Sequence, residues 1–241
     1  MNIGTMPGNC IGIDIGGTKI LGVLWAHGRI TRKKEDRTRN DRGKLAQQLR
    51  ELVRSLEGRR PVARVGIGAA GVVHGTKLVA SPNIPAVKNF DFQQLWPSRN
   101  LRVDNDARCF ARGEVVFGAG KGAKKVFALT IGTGIGRAFA HGGKVATIQR
   151  LEYPEAWEKA YQRVRDSKRS AILAEFLAEK LVPLLSRFDP DVLIIGGGLG
   201  IKKNFYDRLE KELKNRGVKG EIRRSKLKSA AALGATLLFR S

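Results

Sequence analysis

The sequence predicts an α/β protein made of two halves of related design with a cleft between them. Three observations carry that reading. Apolar strands recur along the chain, and several end in glycine-rich loops. Two of those loops, one near the start of each half, open onto a hairpin rather than a helix. Amphipathic helical stretches then separate the strands, so the order strand, hairpin, helix, strand is met twice.

In chain order, residues 10–24 alternate small and apolar side chains around Gly16-Gly17 and read as strand, glycine turn, strand. A third strand runs to residue 36 after the turn at Ala26-His27-Gly28. Leu45, Leu49, Leu52, Val53 and Leu56 make one stripe of a helix over residues 43–57. A buried strand follows over residues 62–69, then a short one over 101–103 that leads into a helix from 105. The second half opens with a strand over residues 125–131 that runs into Gly132-Thr133-Gly134. Residues 136–140 and 144–148 suit a hairpin. Residues 155–187 are mostly helical with a break near 166–168, and Phe176, Leu177, Leu181 and Leu184 share an apolar stripe. An apolar strand over residues 191–195 ends in Gly196-Gly197-Gly198. Helices over 204–216 and 229–239 complete the chain. The Gly/Lys stretch at 118–123 suggests domains 1–118 and 119–241, with the small-residue helix 229–239 able to pack back on the first.

Composition narrows the class. The 241 residues are 42% hydrophobic and evenly spread, which excludes disorder. No apolar run approaches the roughly 18 residues of a membrane span, and residues 1–10 lack the regions of a signal peptide, so a cytoplasmic protein is expected. Cys10 and Cys109, without CxxC spacing, read as buried small hydrophobes rather than zinc ligands. The formal net charge is +23. It gathers in residues 29–64, with thirteen basic and five acidic residues, and in 202–228, with eleven and four. Such a surface either attracts a polyanion or is simply solvated. No zinc finger, aromatic RNA-binding motif or helix-turn-helix accompanies it, so nucleic-acid binding has charge alone in its favour.

The chemistry concentrates in four places. Asp14-Ile15-Gly16-Gly17-Thr18-Lys19 combines glycines that let backbone N–H groups approach an anion, a hydroxyl donor, and a carboxylate at a strand end suited to Mg²⁺. Thr130-Ile131-Gly132-Thr133-Gly134-Ile135-Gly136 is a second cradle of the same kind; no helix follows directly, so it is neither a Walker nor a Rossmann loop. Gly196-Gly197-Gly198 either leaves room for a flat ring such as a purine or makes a tight strand-to-helix turn. Asp104-Asn105-Asp106, at a strand-to-helix junction, offers either a base for an attacking hydroxyl or a helix cap.

These motifs occur in the order found in the ROK family, whose sugar kinases have the actin-like ATPase fold, and the resemblance extends over nearly the whole chain. Ile11–Lys19, Gly66–Val72, Asn105-Asp106-Ala107 with Gly113-Glu114, Leu129–Gly136, Ile194–Gly198 and Ala231–Ala235 carry it. The wording Leu-Thr-Ile-Gly-Thr-Gly-Ile-Gly is most similar to the polyphosphate/ATP glucokinase branch. The resemblance implies duplicated ribonuclease H-like domains about a central cleft. Asp14, Gly16, Gly17, Thr18 and Lys19 would form the first phosphate loop, and Thr130, Gly132, Thr133 and Gly134 the second. Gly197 and Gly198 would lie at the adenosine. Asp106 would be the general base, with Asn105 and Asn83 on sugar hydroxyls, Asp14 on Mg²⁺, and ATP or polyphosphate as donor. A homodimer would be in keeping with it.

The chain departs from the family where the acceptor binds. The Glu-x-Gly-His segment that holds sugar hydroxyls is replaced by Arg150-Leu151-Glu152-Tyr153, leaving Glu152 as a partial substitute, and the family's zinc motif is missing. The expected activity is therefore Mg²⁺-dependent phosphoryl transfer to a sugar-like hydroxyl. The rival is a relative that binds nucleotide or sugar without turnover.

Overall fold

A computed structural model describes residues 8–84 and 87–240; residues 1–7, on which most of the signal-peptide reading falls, lie outside the described part. The chain divides into two units, Met1–Gly113 with Ser229–Ser241, and Glu114–Lys228.

The first unit begins with an antiparallel meander, β1 (Cys10–Ile15), β2 (Lys19–Ala26) and β3 (Arg29–Arg37), followed by α1 (Arg42–Glu57) and β4 (Arg64–Ala69). A small separate sheet follows, of β5 (Val72–His74), β6 (Lys77–Ala80) and β7 (Phe90–Asp91). The chain then returns through β8 (Asn100–Asn105) into α2 (Asp106–Phe117). The main sheet has the order β3-β2-β1-β4-β8, with β4 and β8 parallel to β1. Period-2 alternation splits β1 cleanly. Ile11, Ile13 and Ile15 join the core built with Leu45, Leu49 and Leu52 of α1. Gly12 and Asp14 point to the opposite face.

That opposite face receives α7 (Ala230–Thr236) at the end of the chain. Its approach is close: a Cβ on Gly12 would stand 2.0 Å from the carbonyl oxygen of Ala232, and one on Gly66 2.0 Å from that of Ala235. The run Ala-Ala-Ala-Leu-Gly-Ala suits a helix that lies almost against backbone.

The second unit repeats the plan. β9 (Lys125–Ile131), β10 (Ile135–His141) and β11 (Lys144–Val145) form the meander. After α3 (Glu158–Asp166) and α4 (Ser170–Phe188) come β12 (Val192–Gly196), the short α5 (Gly197–Gly200), α6 (Lys203–Asn215) and β13 (Glu221–Arg224). The sheet order β11-β10-β9-β12-β13 is that of the first sheet, with the same parallel and antiparallel pairs. Phe127, Leu129, Leu193 and Ile195 pack under Leu173, Leu177, Leu181 and Leu209 of α4 and α6.

One expectation needs correction, and four strands were not expected. Residues 146–148 leave the sheet, so the second hairpin arm is only Lys144–Val145, and a 3-10 turn over Gln149–Leu151 follows. Strands β5, β6, β7 and β13 carry no readable pattern: the first three have four residues or fewer, and β13, Glu-Ile-Arg-Arg, is a charged edge.

Candidate active site

Register places three residues side by side in the first unit. Asp14 on β1, Gly68 on β4 and Asp104 on β8 are lateral neighbours. Above Gly68 the space a side chain would fill is taken by α2, with Cys109 Cβ 3.0 Å and Asp106 Cα 3.5 Å from the ideal Cβ position. The missing side chain lets Asp106 enter the field of Asp14. Both carboxyls are partly buried. Burial pushes Asp14 up to about 7, and the charge of Asp106 adds to the rise. Asp106 is raised to about 6, again chiefly by burial, against hydrogen bonds from backbone that lower it.

Asp104 is committed to ion pairs. Its carboxylate binds the guanidinium of Arg108 on one side and Arg112 Nη1, at 2.5 Å, on the other. Asn105 is also largely committed. Its Oδ1 caps α2 by accepting from the N–H groups of Ala107 (2.9 Å) and Arg108 (3.2 Å), and its Nδ2 donates to Gly71 O at 2.9 Å. The capping reading therefore holds for Asn105, with one Nδ2 hydrogen left for a ligand. Of the Asp-Asn-Asp trio, Asp106 remains the carboxylate with an acid–base function available to it.

The first loop is pinned by its own backbone. Gly16 N–H donates to Lys19 O at 3.0 Å, and Thr38 Oγ1 donates to Gly16 O at 2.6 Å. Gly17 is glycine for packing, since a Cβ there would meet Asn83 Cβ at 2.8 Å and Asn83 O at 2.9 Å. That contact brings Asn83 beside the loop. Thr18 is exposed. Lys19 is exposed too and pairs with Glu35 at 3.0 Å.

In the second unit, the loop joining β9 to β10 and the end of β12 adjoin. Gly196 is in register with Thr130. Gly197 has φ +82°, and a Cβ there would come within 2.5 Å of Ile131 O, so both its conformation and its neighbour require glycine. Beside Gly198 a Cβ position is open. Thr130, Gly132, Thr133, Gly134, Gly197 and Gly198 thus lie together as one glycine-rich surface of this unit.

The acceptor stretch belongs to the second unit. Glu152 is half-buried at the end of the 3-10 turn, Arg150 is exposed, and the Tyr153 ring is half exposed. Tyr153 contributes its carbonyl, which accepts from Arg137 Nη2 at 2.8 Å. Arg137 itself escaped notice in the sequence. It is almost fully buried on β10, paired with Glu158 at 2.6 Å, and its guanidinium stands 5.9 Å from the Trp157 ring centroid.

The basic segment of the first unit is left largely unneutralised. Its five acids turn to other partners: Glu35 to Lys19, Asp36 to Gln48, Asp41 to the start of α1, Glu51 to Gln47, and Glu57 to Arg99. Among the described residues, no group of three or more His, Cys, Asp or Glu stands together to hold a metal, and no helix is long and apolar enough to cross a membrane.

Compared with known proteins, residues 10–150 match the ROK family. The chain belongs to the ROK family. Among ROK and related sugar kinases it is 34% identical over 268 residues to the N-acetyl-D-glucosamine kinase of Yersinia enterocolitica, covering 84% of this chain and 88% of that protein. It is 34% identical over 146 residues to the glucokinase of Streptomyces coelicolor, covering 57% of this chain and 45% of the relative. In several such matches the chain spans about half the length of the curated relative. Its fold is the actin-like ATPase fold of the ROK sugar kinases. The inorganic polyphosphate/ATP-glucomannokinase of an Arthrobacter species superposes with a TM-score of 0.80 at 27% identity, over 96% of this chain and 98% of the other. A ROK glucokinase from Streptomyces griseus in complex with glucose and AMPPNP gives 0.76 at 23% identity, over 96% of this chain and 99% of that one.

Proposed function

We propose that this ROK protein is a sugar kinase that moves a phosphoryl group from ATP to a hydroxyl of a glucose-like sugar. The observation that carries the reading is Asp106: a partly buried carboxyl at the first turn of α2, with a pKa of about 6. A base of that strength is deprotonated near neutrality and still accepts the proton of an attacking hydroxyl. Asn83, the free Nδ2 hydrogen of Asn105, and Glu152 position the acceptor. Gly16, Gly17, Thr18 and Lys19 form one phosphate loop. Thr130, Gly132, Thr133 and Gly134 form the other, and Gly197 and Gly198 take the adenosine.

Asp14 fits a divalent cation. It is a partly buried carboxylate with a raised pKa, and its carboxyl has no hydrogen bond among the described residues, so a cation relieves it. A single carboxylate plus substrate phosphates is a common Mg²⁺ environment. Bound there, Mg²⁺ would supply charge to offset that of the transferring phosphoryl group. The donor range extends to polyphosphate, a reading supported by the unneutralised cations of β3 and α1 and by the likeness to a polyphosphate/ATP-glucomannokinase.

The test is a coupled assay of ATP and polyphosphate, each with Mg²⁺, against glucose, mannose and their N-acetylamino derivatives. Turnover with at least one sugar is expected, together with its loss on chelation of Mg²⁺ and recovery on adding Mg²⁺ back. ATP binding without transfer to any sugar would instead establish a non-catalytic relative, and turnover with ATP alone would remove polyphosphate.

A further inference from the structure

The loop between β9 and β10 is held from behind by one face of α3, and we propose that Tyr161 and Arg165 on that face are positioning residues for the phosphoryl donor. The inference rests on the reading of this loop as a donor site. Residues 158, 161 and 165 stand at i, i+3 and i+7, a single helical stripe. All three reach the hairpin. Glu158 Oε1 accepts from Arg137 Nη2 at 2.6 Å. Tyr161 Oη donates to Gly132 O at 2.6 Å. Arg165 Nη1 donates to Thr133 O at 2.5 Å and also approaches Gly132 O at 3.4 Å.

Peptide geometry supplies the consequence. No described peptide bond is cis, so the C=O and N–H of each peptide point in opposite directions. Drawing the carbonyls of Gly132 and Thr133 toward α3 turns the N–H groups of Thr133 and Gly134 to the far side of the loop. Two successive N–H groups facing one side of a glycine-rich turn form an anion-binding arrangement. The helix face thus sets where the loop's donors point without itself meeting the phosphate.

The two side chains are themselves fixed. The Tyr161 ring is buried, and the Arg165 guanidinium stands 5.7 Å from its centroid. Asp166 holds the other side of the guanidinium, at 2.8 Å from Nη2 and 2.9 Å from Nε. Burial raises the Tyr161 hydroxyl to about 12, so it stays a donor throughout the working pH range. Tyr161 also satisfies a buried hydroxyl by this bond, so the experiment must separate aiming from packing.

Tyr161→Phe keeps the ring and removes only the bond; Arg165→Ala frees the Thr133 carbonyl from a side chain that is not buried in the core. For each, kcat/KM for ATP is expected to fall about tenfold, chiefly through a raised KM for ATP, the loss of one hydrogen bond's worth of orientation, while the KM for the sugar stays unchanged. Arg165→Lys, a point charge without the fork, should recover only part of the Arg165→Ala loss. Calorimetric titration with Mg²⁺-ATP in the absence of sugar reads the same shift without turnover. If the wild-type protein does not bind ATP, the donor-site reading fails. If it binds, and both variants bind with wild-type affinity and keep the KM for ATP, the positioning inference is overturned. A lowered melting temperature with unchanged KM for ATP in both variants likewise overturns it.

Discussion

Asp106→Asn is expected to lower kcat by 10²–10⁴-fold while raising the stability of the protein near pH 8. The first half follows from general-base catalysis, whose loss is worth about that factor. Asn keeps the shape and hydrogen-bonding capacity of the side chain but cannot take the proton. The second half follows from the burial of the carboxyl. Burial first, and the nearby charge of Asp104 second, raise the folded-state pKa of Asp106 to about 6, above its ordinary value. A carboxyl raised in this way adds stability that is fully present below about pH 4 and is lost as pH rises through about 6. At pH 8 the wild-type protein carries the penalty in full, and Asn removes it, a gain on the order of 1–2 kcal/mol. In the wild type, kcat/KM should fall on the acid side with a midpoint near pH 6. Urea unfolding at pH 5 and pH 8, with steady-state rates across the same range, checks both halves. A variant that retained wild-type kcat would remove Asp106 from the base role, and one that was inactive and destabilised at pH 8 would make it a structural residue.

The opposed signs matter, because they are what a functional carboxylate predicts and a capping residue does not. Asn105, one position earlier, shows the contrast. Its amide accepts two backbone N–H bonds and donates one, so its replacement by Ala should cost stability of about 1 kcal/mol, as for other helix caps.

The parts of this protein that could be read from sequence are those whose physics leaves a local pattern. Strand ends followed by glycine carry such a pattern, and so Asp14–Lys19, Thr130–Gly136 and Gly196–Gly198 read as loops from the sequence alone. The amphipathic stripes of α1 and α4 behave likewise, because burial repeats at 3.6 residues. What stayed hidden depends on partners far along the chain. Arg137 lies in a short hairpin strand where a cation ordinarily faces water, and its burial is explained by Glu158 and Tyr153, neither adjacent in sequence. Tyr161 and Arg165 act on main-chain carbonyls, which every residue has, so nothing in their spacing marks the target. Asp104 and Asp106 look alike in sequence; only the i, i+4 guanidinium of Arg108 and the Arg112 side chain distinguish them. β13 escaped because an edge strand needs only one apolar position, Ile222, to be held.

Gly66→Ala is expected to destabilise the protein by about 3 kcal/mol or more, although it adds a single methyl group. The methyl would stand 2.0 Å from Ala235 O and 2.7 Å from its carbonyl carbon, both backbone atoms of α7. A side chain in that place could rotate away, but helix backbone cannot, so α7 must lift from β1 and β4. Lifting it also disturbs the contacts at Gly12, where Ala232 O is the neighbour, and at Gly113, where a Cβ would lie 2.1 Å from Ala230 O. The strain is therefore shared along the helix rather than relieved at one end, and the cost falls at or beyond the upper end of ordinary overpacking. For a chain of this size that corresponds to a fall in melting temperature on the order of 10 °C. Gly43→Ala supplies the control. It lies in the first turn of α1, its nearest neighbour is a side-chain oxygen of Asp41 at 3.5 Å, and the exchange should be neutral or stabilising by up to about 1 kcal/mol. Calorimetric melting of the two variants beside the wild type decides the matter. Equal melting temperatures for Gly66→Ala and wild type would mean that α7 does not lie as close to the sheet as its carbonyls imply. A large loss in the first variant alone would place Gly66 among the residues that seat the last helix against the face of the sheet on which Asp14 stands.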